Sequence, residues 1–127
     1  MTTANKYKGE ITRKFGGKDR TFRLTFDCIV KIENRTGKSV MVVARSIAEQ
    51  NFSLHDISVI LHEGLIGANG KFTHESVGDM IIETGLTTSA VYAGEVLGTI
   101  FTGDDTEDDS PLVKVESQET TTPSKNI

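Results

Sequence analysis

Arg20-Thr21-Phe22-Arg23-Leu24-Thr25-Phe26-Asp27-Cys28-Ile29-Val30-Lys31-Ile32-Glu33 is the stretch in which the apolar period of the chain changes. Phe22, Leu24 and Phe26 alternate with Arg23 and Thr25, the pattern of a strand with one dry face, and the spacing then shifts to Ile29, Val30 and Ile32, the pattern of a helix. A strand therefore runs into a helix here. Thr25 or Asp27 is placed to accept the free N–H groups of the first helical turn, and Gly37 is placed to end the helix in a left-handed conformation. The junction holds no reactive group poised for chemistry.

On the amino-terminal side, Lys8–Phe15 supplies a first strand with Ile11 on one side and charge on the other. Gly16-Gly17-Lys18-Asp19 tolerates the positive φ of a tight turn, and Arg20–Phe26 is the second strand. An isolated hairpin is marginal in water, so the Phe22, Leu24, Phe26 edge is expected to lie on helices. On the carboxyl-terminal side, Ser39 is expected to cap a second helix carrying Val40, Val43, Ala44 and Ile47. Ser53, with Asp56 three residues on, opens a third, whose dry face is Leu54, Ile57, Ile60, Leu61 and Leu65. Gly67-Ala68-Asn69-Gly70 is expected to turn, Thr73 opens a fourth helix with Val77, Met80 and Ile81, and Gly85 closes it. Thr87 or Thr88 is expected to cap a fifth, running to Gly103 with Ala90, Val91, Ala93, Val96, Leu97, Ile100 and Phe101 as a broad apolar surface. The expected fold class is α+β and mainly α: an amino-terminal β-hairpin, 8–26, packed on about five short helices within one domain, 1–103.

Past Gly103 the composition shifts to Asp-Asp-Thr-Glu-Asp-Asp-Ser-Pro and then to Thr, Ser, Glu and Gln. Such a segment buries too little apolar area to offset its ordering entropy, so 104–127 is expected to be a disordered acidic tail, with Leu112–Val115 short enough to add as an edge strand to a partner. The chain's 127 residues suffice for one core. Its single cysteine, Cys28, lies among apolar neighbours and is expected to be a small buried hydrophobe. Neither a signal peptide nor a membrane-length apolar run is visible, so the expected setting is a reducing cytosol, with no membrane partner.

Charge is unevenly spread. Residues 6–38 balance at +6, residues 39–103 at −5 and residues 104–127 at −5. Arg13, Lys14, Lys18, Arg20 and Arg23 on the hairpin form either a solvated basic face or a surface for an acidic partner or a second copy of the chain. Nucleic acid fits poorly, because the aromatics interleaved with these residues are needed in the core and the tail is acidic. Ala90, Gly94 and Gly98 set a second candidate surface: at i, i+4 and i+8 they line one side of the last helix, and each glycine costs about 0.5–1 kcal/mol relative to alanine unless another helix approaches closely. That other helix can belong to this chain or to a partner.

Catalysis finds no support in the residues. His55 and His62 share one helix face but stand two turns apart, roughly 10 Å along the axis, too far to ligate one metal ion without a third element bending in. Glu63 and Glu83 are expected to be ordinary solvated helix residues. No phosphate-binding loop and no nucleophile elbow is present, so no catalytic residue, metal ligand or cofactor is assigned. The residues alone give a mainly helical globular domain without an activity.

The functional expectation comes from a resemblance. Asn5 through Gly9-Glu10, Phe22-Arg23-Leu24-Thr25, Ile32-Glu33 before Thr36-Gly37, Phe52-Ser53-Leu54-His55-Asp56, and Leu65-Ile66-Gly67-Ala68 together give a layout that resembles the small tail protein of gene transfer agents and siphophages, a family grouped with phage tail assembly chaperones. The likeness spans about residues 5–103, and the acidic tail departs from the shortest members. It implies a non-enzymatic role in tail assembly in the cytoplasm of a bacterial host, with the tape measure protein and tail tube subunits as partners. A tube subunit that stays in the particle, and a small basic-patch nucleic-acid binder, are the alternatives.

Overall fold

A computed structural model describes residues 9–101. Two strands, β1 (Ile11–Phe15) and β2 (Lys18–Phe22), are followed by five helices: α1 (Phe26–Thr36), α2 (Val40–Ala48), α3 (Leu54–Gly67), α4 (His74–Thr84) and α5 (Leu86–Gly98). The α+β, mainly helical class expected from the sequence is what the fold shows. Lys8 and the 104–127 tail lie outside the described residues.

β1 and β2 pair antiparallel, with Ile11 opposite Phe22 and Phe15 opposite Lys18. The two-residue turn between them has φ of 66° at Gly16 and 88° at Gly17, the left-handed pair that matches the strands' twist and that only glycine adopts cheaply. The turn is pressed against the body of the fold: a side chain at Gly16 would run into Met80, and the Gly16 N–H donates to Thr84 Oγ1 at 2.8 Å. Phe15 and Phe22, both fully buried, meet edge to face at 5.7 Å and carry the hairpin into the core.

α3 is the element on which the others rest. Ile57, Val59, Ile60 and Leu61 are wholly buried and Leu65 nearly so, which leaves this helix apolar almost all round, packed by α1, α4, α5 and β2. Its glycines admit those neighbours. A Cβ at Gly64 would sit 3.2 Å from the Phe22 ring, and one at Gly67 would collide with the Arg23 carbonyl and stand 3.0 Å from Cys28 Sγ. The Arg23 N–H donates to Gly64 O at 2.9 Å, fastening the hairpin's exit to the helix backbone.

Four helix starts follow the sequence expectation. Thr25, Ser39, Ser53 and Thr73 each accept an N–H from the first turn through the side-chain oxygen. Gly37 ends α1 at φ 73°, donating to Glu33 O. Cys28 is buried, as expected.

Four expectations are corrected. β2 ends at Phe22 instead of Phe26, because the Arg23 N–H goes to α3 and Thr25 then turns the chain into a helix. Phe26 thereby becomes the first residue of α1 and is 81% exposed, so the dry edge of the hairpin is Phe15 and Phe22, with Leu24 only partly buried. Leu54, counted on the dry face of α3, stands in its first turn, half exposed. α5 starts at Leu86 directly after Gly85, with no side-chain cap from Thr87 or Thr88, and it ends at Gly98: Thr99, Ile100 and Phe101 bond three residues back, the tighter winding with which helices finish. Glu63, expected in solvent, is 3% exposed.

Candidate partner-binding surface

The basic hairpin is more neutralised than its sequence suggests. Arg13 and Arg20 stand directly opposite each other across the strands, an unfavourable like-charge pair unless each finds other partners. Both do. Arg13 Nε donates to Glu95 Oε1 of α5 at 2.8 Å, and Arg20 lies over the Phe72 ring at 5.1 Å from its centre while donating to Phe15 O. Lys14 faces Asp19, and Lys14 and Lys18 are the exposed lysines at the turn end. Arg23 is half-buried beside α3. The hairpin thus presents Lys14, Lys18 and the outer parts of Arg13 and Arg20.

The small-residue line of α5 lies inside the fold. Ala90, Gly94 and Gly98 are all buried, and a Cβ at Gly94 would stand 3.3 Å from Ile47 Cγ2, so α2 is the helix that approaches this line. Apolar groups face solvent elsewhere. Phe26 and Val30 form an i, i+4 pair along the side of α1 away from α3, and Met41, Leu54, Ile82 and Val91 are each more than half exposed.

A polar cluster that the sequence did not reveal ties α1, α3 and the start of α4 together. Arg35 Nη1 donates to buried Glu63 Oε2 at 2.7 Å and to His62 Nδ1 at 3.0 Å. Since Nδ1 accepts, the His62 proton is on Nε2, which donates to Phe72 O at 2.8 Å. His55 Nε2 donates to Arg35 O, and Ser58 Oγ, whose own proton goes to His55 O, accepts from His74 Nε2. His74 is the third element bending in between His55 and His62, at 6.1 and 5.7 Å between ring centres. Burial, then the Arg35 charge and the two neighbouring imidazoles, hold the His74 ring below its ordinary pKa of 6.5. With Arg35 in their midst and both nitrogens of His62 engaged, the rings make a hydrogen-bonded clasp in place of a metal site; among the described residues no group of three or more His, Cys, Asp or Glu is arranged to hold an ion. A second charged pair, Lys38 with buried Asp56 at 2.6 Å, extends the α1–α3 contact just past the carboxyl end of α1.

Glu63 was the available signal for this cluster, since it falls inside the apolar run from Ile57 to Leu65. A carboxylate there has to be paired. Its partner, Arg35, sits 28 positions earlier and carries no local mark.

The family model described as phage tail tube protein, GTA-gp10, matches residues 8–103. The chain belongs to this family. The match takes in all five helices and the hairpin, and it makes the protein a phage tail protein, as the resemblance in its sequence implied. No curated protein and no solved structure matches the chain. For a tail protein of this kind the relevant property is the surface offered to other tail proteins. No helix among the described residues is long and apolar enough to cross a membrane.

Proposed function

We propose that this phage tail family member is a non-enzymatic tail assembly chaperone, which covers apolar helical stretches of the tape measure protein in the host cytoplasm until tail tube subunits replace it. The observation that carries the reading is the exposure of large apolar side chains on helix faces, above all Phe26 at 81% and Val30 at 37% one turn apart on α1. A pair at this spacing matches the stripe an amphipathic helix presents, so two such stripes bury each other. Lys31 and Asp27, joined at 3.3 Å on the same helix, supply a polar flank. The hairpin's Lys14, Lys18 and Arg20 are the place where an acidic segment of the partner would lie, and Ala90, Gly94 and Gly98 serve the fold internally.

A subunit that remains in the tube fits the family description equally and is the second reading. Two measurements separate them. Mass spectrometry of purified particles should find no stoichiometric copy of a chaperone, whereas a tube subunit is abundant in them. Phe26→Asp combined with Val30→Asp should abolish co-purification with the tape measure protein while far-UV circular dichroism is unchanged; retained binding would remove α1 from the mechanism.

A further inference from the structure

Arg35 has two acceptors within reach and a third already built. Its Nη1 is shared between His62 Nδ1 and Glu63 Oε2, and the other oxygen of that carboxylate, Glu63 Oε1, is buried without any hydrogen-bond partner. A buried carboxylate oxygen left unpaired is costly, and a fork-shaped guanidinium beside a carboxylate ordinarily takes both oxygens. What draws Arg35 away is the lone pair of His62. When Nδ1 gains a proton that lone pair disappears, and an N–H is set against an N–H with two positive charges in contact. Arg35 then has one place to go, the vacant Oε1, and His62 is pushed outward.

We infer that Arg35, His62 and Glu63 form a proton-operated switch with two discrete arrangements, and that the hairpin's Arg20 is its readout. In the neutral arrangement His62 Nε2–H holds the carbonyl of Phe72, and the ring of Phe72 lies beneath the Arg20 guanidinium. Displacing His62 releases that carbonyl, lets the α3–α4 connection move, and frees Arg20 from its aromatic seat. The charged and titratable groups around His62 are Arg35 from α1, the adjacent Glu63 on α3 and His74 from α4, with His55 of α3 reached through His74 and the Arg35 carbonyl, and the Lys38–Asp56 pair further toward the start of α3. The switch stands on this geometry and is independent of whether the protein is a chaperone or a tube subunit. Acidity would thereby alter the basic surface of the hairpin without unfolding the domain.

Histidine-selective two-dimensional NMR of the full chain tests this. At pH 8 the His62 ring should be the Nε2–H tautomer, and on acidification the Arg20 Nε–H resonance and the backbone amides of Lys71, Phe72 and Thr73 should shift along the His62 titration curve. In His62→Gln, whose amide can accept from Arg35 and donate to Phe72 without titrating, those shifts should vanish, and in His74→Gln they should persist. An Nδ1–H tautomer of His62 in the wild-type chain overturns the inference, as do Arg20 and Phe72 signals that stay still while His62 titrates or that follow His74. The wild-type titration decides the matter even where a variant fails to fold.

Discussion

Replacing Gly67 by alanine puts a methyl group in place of a hydrogen at the point where two backbones touch. The new Cβ would fall on the Arg23 carbonyl, with Cys28 Sγ 3.0 Å away, so the intruded atoms are main chain and a buried sulfur, neither able to swing aside. The link between β2 and α1 has to lift off α3, which breaks the Arg23 N–H bond to Gly64 O. Overfilling of this kind costs about 1–3 kcal/mol and the lost bond about 0.5–1.5, while alanine returns at most about 1 kcal/mol of helix propensity. The net loss is about 1–3 kcal/mol out of a total of about 5–15, which lowers Tm by about 5–20 °C in a domain of this size. Gly78 is the internal control. It lies within α4 with nothing within 4 Å of its would-be Cβ, so Gly78→Ala should stabilise by about 0.5–1 kcal/mol. Urea unfolding followed by circular dichroism reads both changes. Gly67→Ala with wild-type stability would refute the close approach of the hairpin exit to α3.

Gly94→Leu should unfold the domain, because the side chain has to enter the α2–α5 contact at Ile47; a folded variant that has lost only its self-association would reassign this line of residues to a partner. Lys38→Ala leaves the buried Asp56 carboxylate without its ammonium, at a cost of about 1–3 kcal/mol, and in a double-mutant cycle Asp56→Asn should cancel part of that loss. His74 is harder to protonate in the fold than in the unfolded chain, so the unfolded state binds more protons as the pH falls below 6.5. Stability should therefore be complete above that value and decline below it, and His74→Gln should flatten the decline in a series of urea midpoints taken from pH 8 to pH 5.

What was legible in the sequence follows from how locally each feature is encoded. Side-chain caps act over three residues, so Ser39, Ser53 and Thr73 could be assigned from spacing and the first cap narrowed to Thr25 or Asp27, of which the fold uses Thr25, and the paired glycines announced the hairpin. The extent of β2 could not, because the alternation of Phe22, Leu24 and Phe26 continues past the point where α3 takes over the backbone hydrogen bond. The central place of α3 was hidden for a related reason. Asp56, Ser58, Glu63 and Gly64 interrupt its apolar run as if one side were wet, and only the fold shows that Lys38, His74, Arg35 and the Phe22 ring meet them there. Local patterns name the elements, whereas the partners that decide burial lie far along the chain.

Gly9, where the described chain begins, would place a Cβ 3.8 Å from the side chain of Thr99, two residues before it ends. Start and finish thus share one pole of the domain, and the order of elements is closer to a ring than to a line. A circular permutant, with a short linker joining that pole and new ends opened between Gln50 and Asn51, breaks no strand or helix and keeps the β1–β2 pair intact. Its fold should be unchanged while the new ends, Asn51 and Gln50, emerge between α2 and α3.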